Sequence, residues 1–338
     1  MDWNINFPHL GIYLEHVGKN ISIGGFTIAY YGIVIGIGII GGLMLAQWQA
    51  RRTGQDPEMY LDLAMIAVVL SIIGARVYYV VFAWDMYKDD LLSIFNIRNG
   101  GLAIYGAVIA GTIVAFFYTR HKKIKLGAMT DLAVMGLLLG QCIGRWANFI
   151  NREAFGAETT LPWRMRLWVS QYQSIEVHPT FFYESLWNLI GLLLILFVVS
   201  RARRFDGENT WFYFLWYGLG RFWIEGLRTD SLYLFDWTFM GEPIRVSQAL
   251  SLLLAVTAAV MLFYNIRIKK HSRDELLVNQ VAAAAAAKAA AAEPGAEEPL
   301  APADAAGEAE EAQGPLEEEP QPAETQNEER EEPDGNAH

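Results

Sequence analysis

The sequence predicts an all-α chain: a polytopic membrane bundle of seven transmembrane helices with extended outer-face loops and a disordered acidic tail. Three observations predict it. Seven apolar runs each approach the roughly 20 residues that a helix needs to cross a bilayer core. Basic residues collect after every second run. Charge is divided unevenly between a long body and a short tail.

The apolar runs cover residues 26–48, 61–83, 102–119, 128–147, 180–200, 209–228 and 246–266. The first does not read as a cleavable signal peptide. Some 25 mixed residues precede it, no basic n-region leads into it, and it is too long for an h-region.

Orientation follows from the basic residues. The ends after runs one, three, five and seven carry 13 of them, from Arg51 and Arg52 to Lys269, Lys270 and Arg273. The opposite side carries six: Lys19, Lys88, Arg98, Arg152, Arg164 and Arg166. The positive-inside rule places the N-terminus outside and the C-terminus in the cytoplasm. The long connections 84–101 and 148–179 then lie outside, where Trp84, Trp163 and Trp168 suit an interfacial belt. Elaboration on that face points to work done there.

The charge division marks two regions. The 338 residues sum to −11, but residues 1–281 hold 24 Lys/Arg against 21 Asp/Glu, whereas residues 282–338 hold 2 against 16. The tail's alanine run, Val281 to Ala292, is expected to be helical. The Glu/Pro/Ala/Gly repeats beyond it lack the apolar side chains needed to offset ordering entropy, so they are expected to be disordered and without chemistry.

Some patterns carry no chemistry. Gly36-Ile37-Gly38-Ile39-Ile40-Gly41 spells a dinucleotide fingerprint, but it lies inside an apolar run and follows no strand. With Gly32/Gly36 and Gly38/Gly42 it reads as close helix packing. Asn20-Ile21-Ser22 spells a glycosylation sequon and carries little weight. Cys142 is the single cysteine; it forms no intramolecular disulfide and reads as packing in an apolar helix.

Ionisable residues inside the runs need a reason, because each costs roughly 2.5–3.5 kcal/mol even on the mild insertion scale. Arg76 lies in run two, Arg145 and Asn148 at the outer end of run four, and Glu184 near the start of run five. Tyr217, Arg221 and Glu225 share one face of run six, and Arg245 opens run seven. Arg221 and Glu225 can simply neutralise each other, and residues near helix ends can snorkel. Taken together, arginines converging at one depth in the outer half suit a phosphate-bearing ligand, which guanidinium binds bidentately while staying charged. A transporter for an anionic solute would use the same residues, but no inverted repeat or matched pair of broken helices accompanies them. An intramembrane protease lacks its motifs here: neither G-x-S-x-G, H-E-x-x-H nor paired membrane aspartates occur.

The stretch Gly144-Arg145-Trp146-Ala147-Asn148-Phe149-Ile150-Asn151-Arg152-Glu153-Ala154-Phe155-Gly156 resembles the motif G-R-x-[GA]-N-F-x-N-x-E-x-x-G of bacterial prolipoprotein diacylglyceryl transferases at every fixed position. Similar stretches occur in the family's order: Tyr30-Tyr31-Gly32, Gly74-Ala75-Arg76, Asn99-Gly100-Gly101-Leu102, His178 to Glu184, and Tyr217 to Arg228. The resemblance covers roughly residues 20–270.

The resemblance implies a reaction. The family moves the diacylglyceryl group of phosphatidylglycerol onto the lipobox cysteine thiol of a preprolipoprotein signal peptide, at the outer face of the bacterial cytoplasmic membrane. A thioether forms and glycerol 1-phosphate leaves. No metal or other cofactor and no nucleic acid takes part; the partners are the lipid, the signal peptide and the bilayer. Carried over by motif, Arg145 grips the headgroup, and Asn148, Asn151, Glu153 and Gly156 shape the same pocket. Arg221 stabilises the leaving phosphate, held by Glu225 and near Tyr217, and Tyr31 points into the cavity. Many members have His where this chain has Tyr105, in Gly100-Gly101-Leu102-Ala103-Ile104-Tyr105-Gly106. Tyr105 is therefore expected to orient substrate, with thiol activation coming from the arginine field. His178, followed by Pro179, is expected to be structural.

Overall fold

A computed structural model describes residues 3–97, 100–168, 170, 172–239 and 242–292. Eight α-helices dominate these residues: α1 (Tyr30–Arg52), α2 (Glu58–Phe82), α3 (Ile104–His121), α4 (Leu126–Asn151), α5 (Thr180–Leu194), α6 (Glu208–Leu227), α7 (Val246–Phe263) and α8 (Leu277–Ala292). Each predicted apolar run falls on one of the first seven, and α5 and α7 are each prolonged by a π-helical turn. By length and composition, five of these helices are apolar enough to cross a membrane: α1, α2, α4, α5 and α7. The other two are diluted by Arg120 and His121 in α3 and by Glu208, Arg221 and Glu225 in α6. α8 covers the alanine run. The acidic repeats beyond it lie outside the described residues.

The expectation of an all-α chain needs correcting. The described residues include eight short strands: β1 (Trp3–Phe7), β2 (Ile12–Val17), β3 (Asn20–Ile23), β4 (Phe26–Ala29), β5 (Met165–Trp168), β6 (Ser174–Val177), β7 (Tyr233–Phe239) and β8 (Glu242–Arg245). β3–β4 and β7–β8 are hairpins, and β2-β1-β5-β6 form one antiparallel sheet. Its centre pairs Ile5 with Leu167, which ties the start of the chain to the α4–α5 connection. Ile5, Met165, Leu167 and Val177 are buried against Phe181 at the start of α5, with Phe149 of α4 packed beside them. The sheet thereby fixes the end of α4 against the start of α5.

Neighbouring helices run antiparallel at contacts only small residues allow. A Cβ on Gly42 of α1 would stand 2.5 Å from the Gly136 carbonyl oxygen of α4, and one on Gly38 would stand 3.1 Å from that of Gly140. Gly38 and Gly42 therefore pack as the sequence predicts. Gly32 and Gly36 do not: a Cβ on either meets nothing within 4 Å. Gly74 of α2 faces Gly106 and Ala110 of α3 in the same way. Between α5 and α6, Trp187 and Trp216 stack at 4.3 Å, and each indole donates to the other's carbonyl at 2.9 Å. Cys142 packs between α4 and α5, its Sγ 3.3 Å from the Ser185 hydroxyl.

At the end away from the four-stranded sheet, Asp131 of α4 is fully buried. Its carboxylate accepts from Arg203 at 3.2 Å, from Gly207 N at 2.8 Å and from Thr210 N at 2.9 Å. A buried carboxylate is thus satisfied by a cation and by the otherwise unpaired donors of the first turn of α6.

Candidate active site

The ends of α4 and α6 and the starts of α5 and α7 meet beside the sheet. α4 stops at Arg152, in the left-handed region (φ 56°), and Ala154 repeats that conformation (φ 55°). The double bend turns Glu153 back over the last turn of α4. There its carboxylate accepts from Asn148 at 2.9 Å and from Asn151 at 3.4 Å. Asn148 in turn accepts from Arg145 at 3.3 Å.

Arg145 reaches across to α5 and pairs with Oε2 of Glu184. The other oxygen of Glu184 takes Arg221 of α6 at 2.7 Å. Arg221 also pairs with Glu225, one turn along its own helix, at 2.5 Å. Arg245 donates to the Glu225 carbonyl, and Arg228 approaches the Glu225 carboxylate at 3.9 Å while pairing with Asp230 at 2.6 Å. One continuous network therefore runs from Glu153 to Asp230 through α4, α5 and α6 and the segments that flank them. Glu184 and Glu225 are buried, but Arg145 and Arg221 retain 23% and 16% of their side-chain exposure. The cations, not the carboxylates, are the groups left to meet a ligand. Buried carboxylates of this kind fix where guanidinium groups point, which is what preorganised stabilisation of a developing anion requires.

Small clefts lie on either side of Glu184. One is lined by Arg145, Asn148, Thr180 and Arg228, the other by Asn188, Tyr217, Arg221 and Ile224. Tyr217 stacks on Tyr213 at 5.7 Å. Tyr31, in the first turn of α1, lies within electrostatic reach of Glu153 and Arg145.

Gly156 is buried where three segments meet. Its N–H donates to the His178 carbonyl at 3.0 Å, it pairs with Arg228 as an isolated bridge, and Ala157 N donates to Leu227 at 2.8 Å. A Cβ there would stand 2.7 Å from His178 Cβ. Gly156 thus lets the α4–α5 connection touch the end of α6. His178 takes part through its backbone, and its ring meets the Tyr183 hydroxyl at 3.3 Å. Burial pushes its imidazole pKa below the usual value.

Eight of the ten sequence-predicted site residues thus belong to the network or line its clefts: Arg145, Asn148, Asn151, Glu153, Arg221, Glu225, Tyr217 and, through its backbone, Gly156. Among the described residues, Tyr31 lines neither cleft and reaches Glu153 and Arg145 only electrostatically. Tyr105 lies on α3 against Tyr78, ring centroids 6.2 Å apart, and among the described residues no hydrogen bond or ion pair joins it to the network. Arg76 is also separate. Its guanidinium donates to the carbonyls of Ser93, Ile94, Asn96, Gly100 and Gly101 at 2.7 to 3.2 Å, shaping the segment before α3. Sequence reasoning assigned no role to Glu184, although an acid inside an apolar run was the available signal.

A sequence profile of the prolipoprotein diacylglyceryl transferase family matches residues 19–264, which contain the whole network. The chain belongs to this family. It is 41% identical over 251 residues to the phosphatidylglycerol–prolipoprotein diacylglyceryl transferase of Listeria welshimeri, covering 72% of this chain and 88% of the relative. The enzyme of that name from Finegoldia magna is 41% identical over 240 residues, covering 71% and 92%. The one from Halalkalibacterium halodurans is 37% identical over 251 residues, covering 72% and 84%. As a diacylglyceryl transferase the chain is an enzyme of lipoprotein biosynthesis.

Proposed function

We propose that the chain transfers the diacylglyceryl group of phosphatidylglycerol to the lipobox cysteine of a preprolipoprotein. The observation that carries this is the pair of arginines, Arg145 and Arg221, held on opposite oxygens of one buried carboxylate. The reaction forms a C–S bond at the glycerol carbon as the C–O bond to phosphate breaks. The electron pair leaves on the phosphate oxygen, and the thiol proton ends on the released glycerol phosphate. Charge grows on the phosphate, so fixed guanidinium groups in a water-poor cleft stabilise the transition state. The nucleophile belongs to the peptide, which is consistent with Cys142 serving only as packing.

In this reading Arg145 holds the lipid phosphate, and Asn148, Asn151, Glu153 and Gly156 keep that pocket in shape. Arg221 stabilises the leaving group, with Glu225 and Tyr217 orienting it. Tyr31 acts from outside the two clefts, where the peptide enters. Tyr105 acts on substrate position rather than on the proton; among the described residues its ring packs against Tyr78 and makes no hydrogen bond to the network. All seven long helices cross the bacterial inner membrane. The four-stranded sheet and the site face outward, and the basic ends, α8 and the acidic tail lie in the cytoplasm.

The test uses the purified full chain in phosphatidylglycerol vesicles with glycerol-labelled lipid and a lipobox peptide. A thioether-linked diacylglyceryl peptide is expected, with none from a peptide whose cysteine is replaced by serine. Intact, folded protein that yields no adduct would sink the proposal.

A further inference from the structure

Asn188 has no use in the network described above. It lies on α5 one turn beyond Glu184 and is 4% exposed. Among the described residues its side chain makes no hydrogen bond, yet it lines the cleft with Glu184, Tyr217 and Arg221. Its other neighbours there, Trp187 and Ile224, are largely apolar. Its amide nitrogen and oxygen are not fully enclosed and open onto the cleft, so no protein group among the described residues but only water or a ligand meets them there. An unmatched amide facing a cleft therefore points to a ligand.

The position of Asn188 says which part of the ligand. Glu184 and Asn188 are four residues apart on α5, and Arg221 and Tyr217 are four apart on the antiparallel α6. Both pairs share a face of their helix. The cleft therefore has two tiers. Arg221 and Glu184 form a charged tier nearer the sheet. Asn188 and Tyr217 form a neutral polar tier about 6 Å further into the bundle, at 1.5 Å per residue. A diacyl phospholipid presents its groups in the same order along its length. The anionic phosphate comes first, the ester carbonyls follow, and the chains come last. An ester carbonyl accepts hydrogen bonds and donates none, so it matches an amide N–H.

We propose that Asn188 binds an ester carbonyl of the diacylglyceryl group, setting the lipid's depth relative to Arg221 and selecting ester-linked over ether-linked lipid. This rests on the transferase reading.

The test compares turnover of diester phosphatidylglycerol with that of its diether analogue, which keeps the phosphate and chains but lacks both carbonyls. Wild-type protein, Asn188→Leu and Asn188→Asp are assayed in the same vesicles, and the ester-to-ether ratio is read within each preparation, so loss of folded protein cancels. Wild-type protein is expected to favour the ester by about five-fold, the size of one hydrogen bond. Both variants are expected to bring the ratio near one, chiefly by slowing the ester reaction. A variant that keeps the wild-type ratio overturns the proposal, as does a wild-type ratio of one. No adduct from wild-type protein with the diester lipid overturns the transferase reading, and this inference with it.

Discussion

Glu184 holds Arg221 at 2.7 Å through one oxygen and Arg145 through the other, so one carboxylate sets the spacing of two guanidinium groups on different helices. Removing one member of a buried ion pair costs about 3–5 kcal/mol, because the partner charge is left uncompensated. Among the described residues, Glu184→Ala takes a carboxylate from two arginines at once, leaving Arg221 with Glu225 alone and Arg145 with the neutral Asn148. The expected outcome is a transfer rate down by about a hundred-fold or more, with a clear drop in thermal midpoint in detergent. Glu184→Gln keeps the shape and one acceptor, so it should recover much of the midpoint but little of the rate. Full activity in either variant would remove Glu184 from the site.

Arg145 and Arg221 differ in company, and that difference predicts different kinetics. Arg145 reaches Asn148 and the cleft beside Ala154, whereas Arg221 sits between Glu184 and Glu225 beside Tyr217. Arg221→Ala should fall mainly in kcat, by about 10²–10³-fold, as when a preorganised donor to a developing anion is lost. Arg145→Ala should show at least part of its defect as a higher KM for lipid. Lysine at either position should rescue poorly, because an ammonium lacks the two-pronged geometry. Rates unchanged in both alanine variants would refute the site assignment.

The helices were legible because crossing a bilayer demands long apolar runs, and nothing else in the chain imitates them. The four-stranded sheet was not legible. Its strands are four to six residues long, and Ile5 finds Leu167 only through a pairing that no local pattern announces. In the site, the spacing from Arg145 to Glu153 was readable because one bend folds that stretch on itself. The double duty of Glu184 depends on the register of three antiparallel helices, which sequence spacing within one helix cannot supply. Arg76 shows the converse. As a charge inside an apolar run it needed a reason, and five backbone carbonyls supply one.

The glycines of α1 separate packing from propensity. Gly42 faces the Gly136 backbone, whereas Gly36 faces open space. Gly42→Ala must push α1 from α4 and should destabilise by about 1–3 kcal/mol, as overpacking does. Gly36→Ala adds helix propensity with no clash and should leave stability unchanged or raise it by up to about 1 kcal/mol. Thermal unfolding of the two variants side by side checks this. Equal midpoints would mean that the close approach at Gly42 does not bear on stability.

Gly156→Ala should act on the site from outside it. The added methyl meets His178 Cβ at 2.7 Å and the Leu227 carbonyl at 3.0 Å, so the α4–α5 connection must lift from the end of α6. Asn148 and Glu153 would then move relative to Arg221 and Arg228. The expected result is a transfer rate at least ten-fold lower, since misplacement of about 1 Å can cost that much or more. A wild-type rate with a lowered thermal midpoint would show that Gly156 matters to stability alone.

Glu176 of β6 carries the pH dependence of the sheet. Arg166, its register partner on β5, donates to one oxygen at 2.6 Å, and Arg164 pairs with the other. These bonds, Arg166 foremost and Arg164 after it, outweigh partial burial and hold the carboxyl pKa below its ordinary value. An acid whose pKa is lower folded than unfolded binds fewer protons when folded. Its contribution is therefore present in full above the unfolded value, about 4.3, and fades as pH falls through the depressed folded value. The site is partly exposed, so the effect should be modest and should shrink in high salt. Thermal midpoints from tryptophan emission between pH 3 and pH 7 should fall on acidification more steeply for wild-type protein than for Glu176→Gln. The variant should be less stable at neutral pH, with the two curves converging in acid. Parallel curves would mean that the arginine pair does not hold β5 to β6.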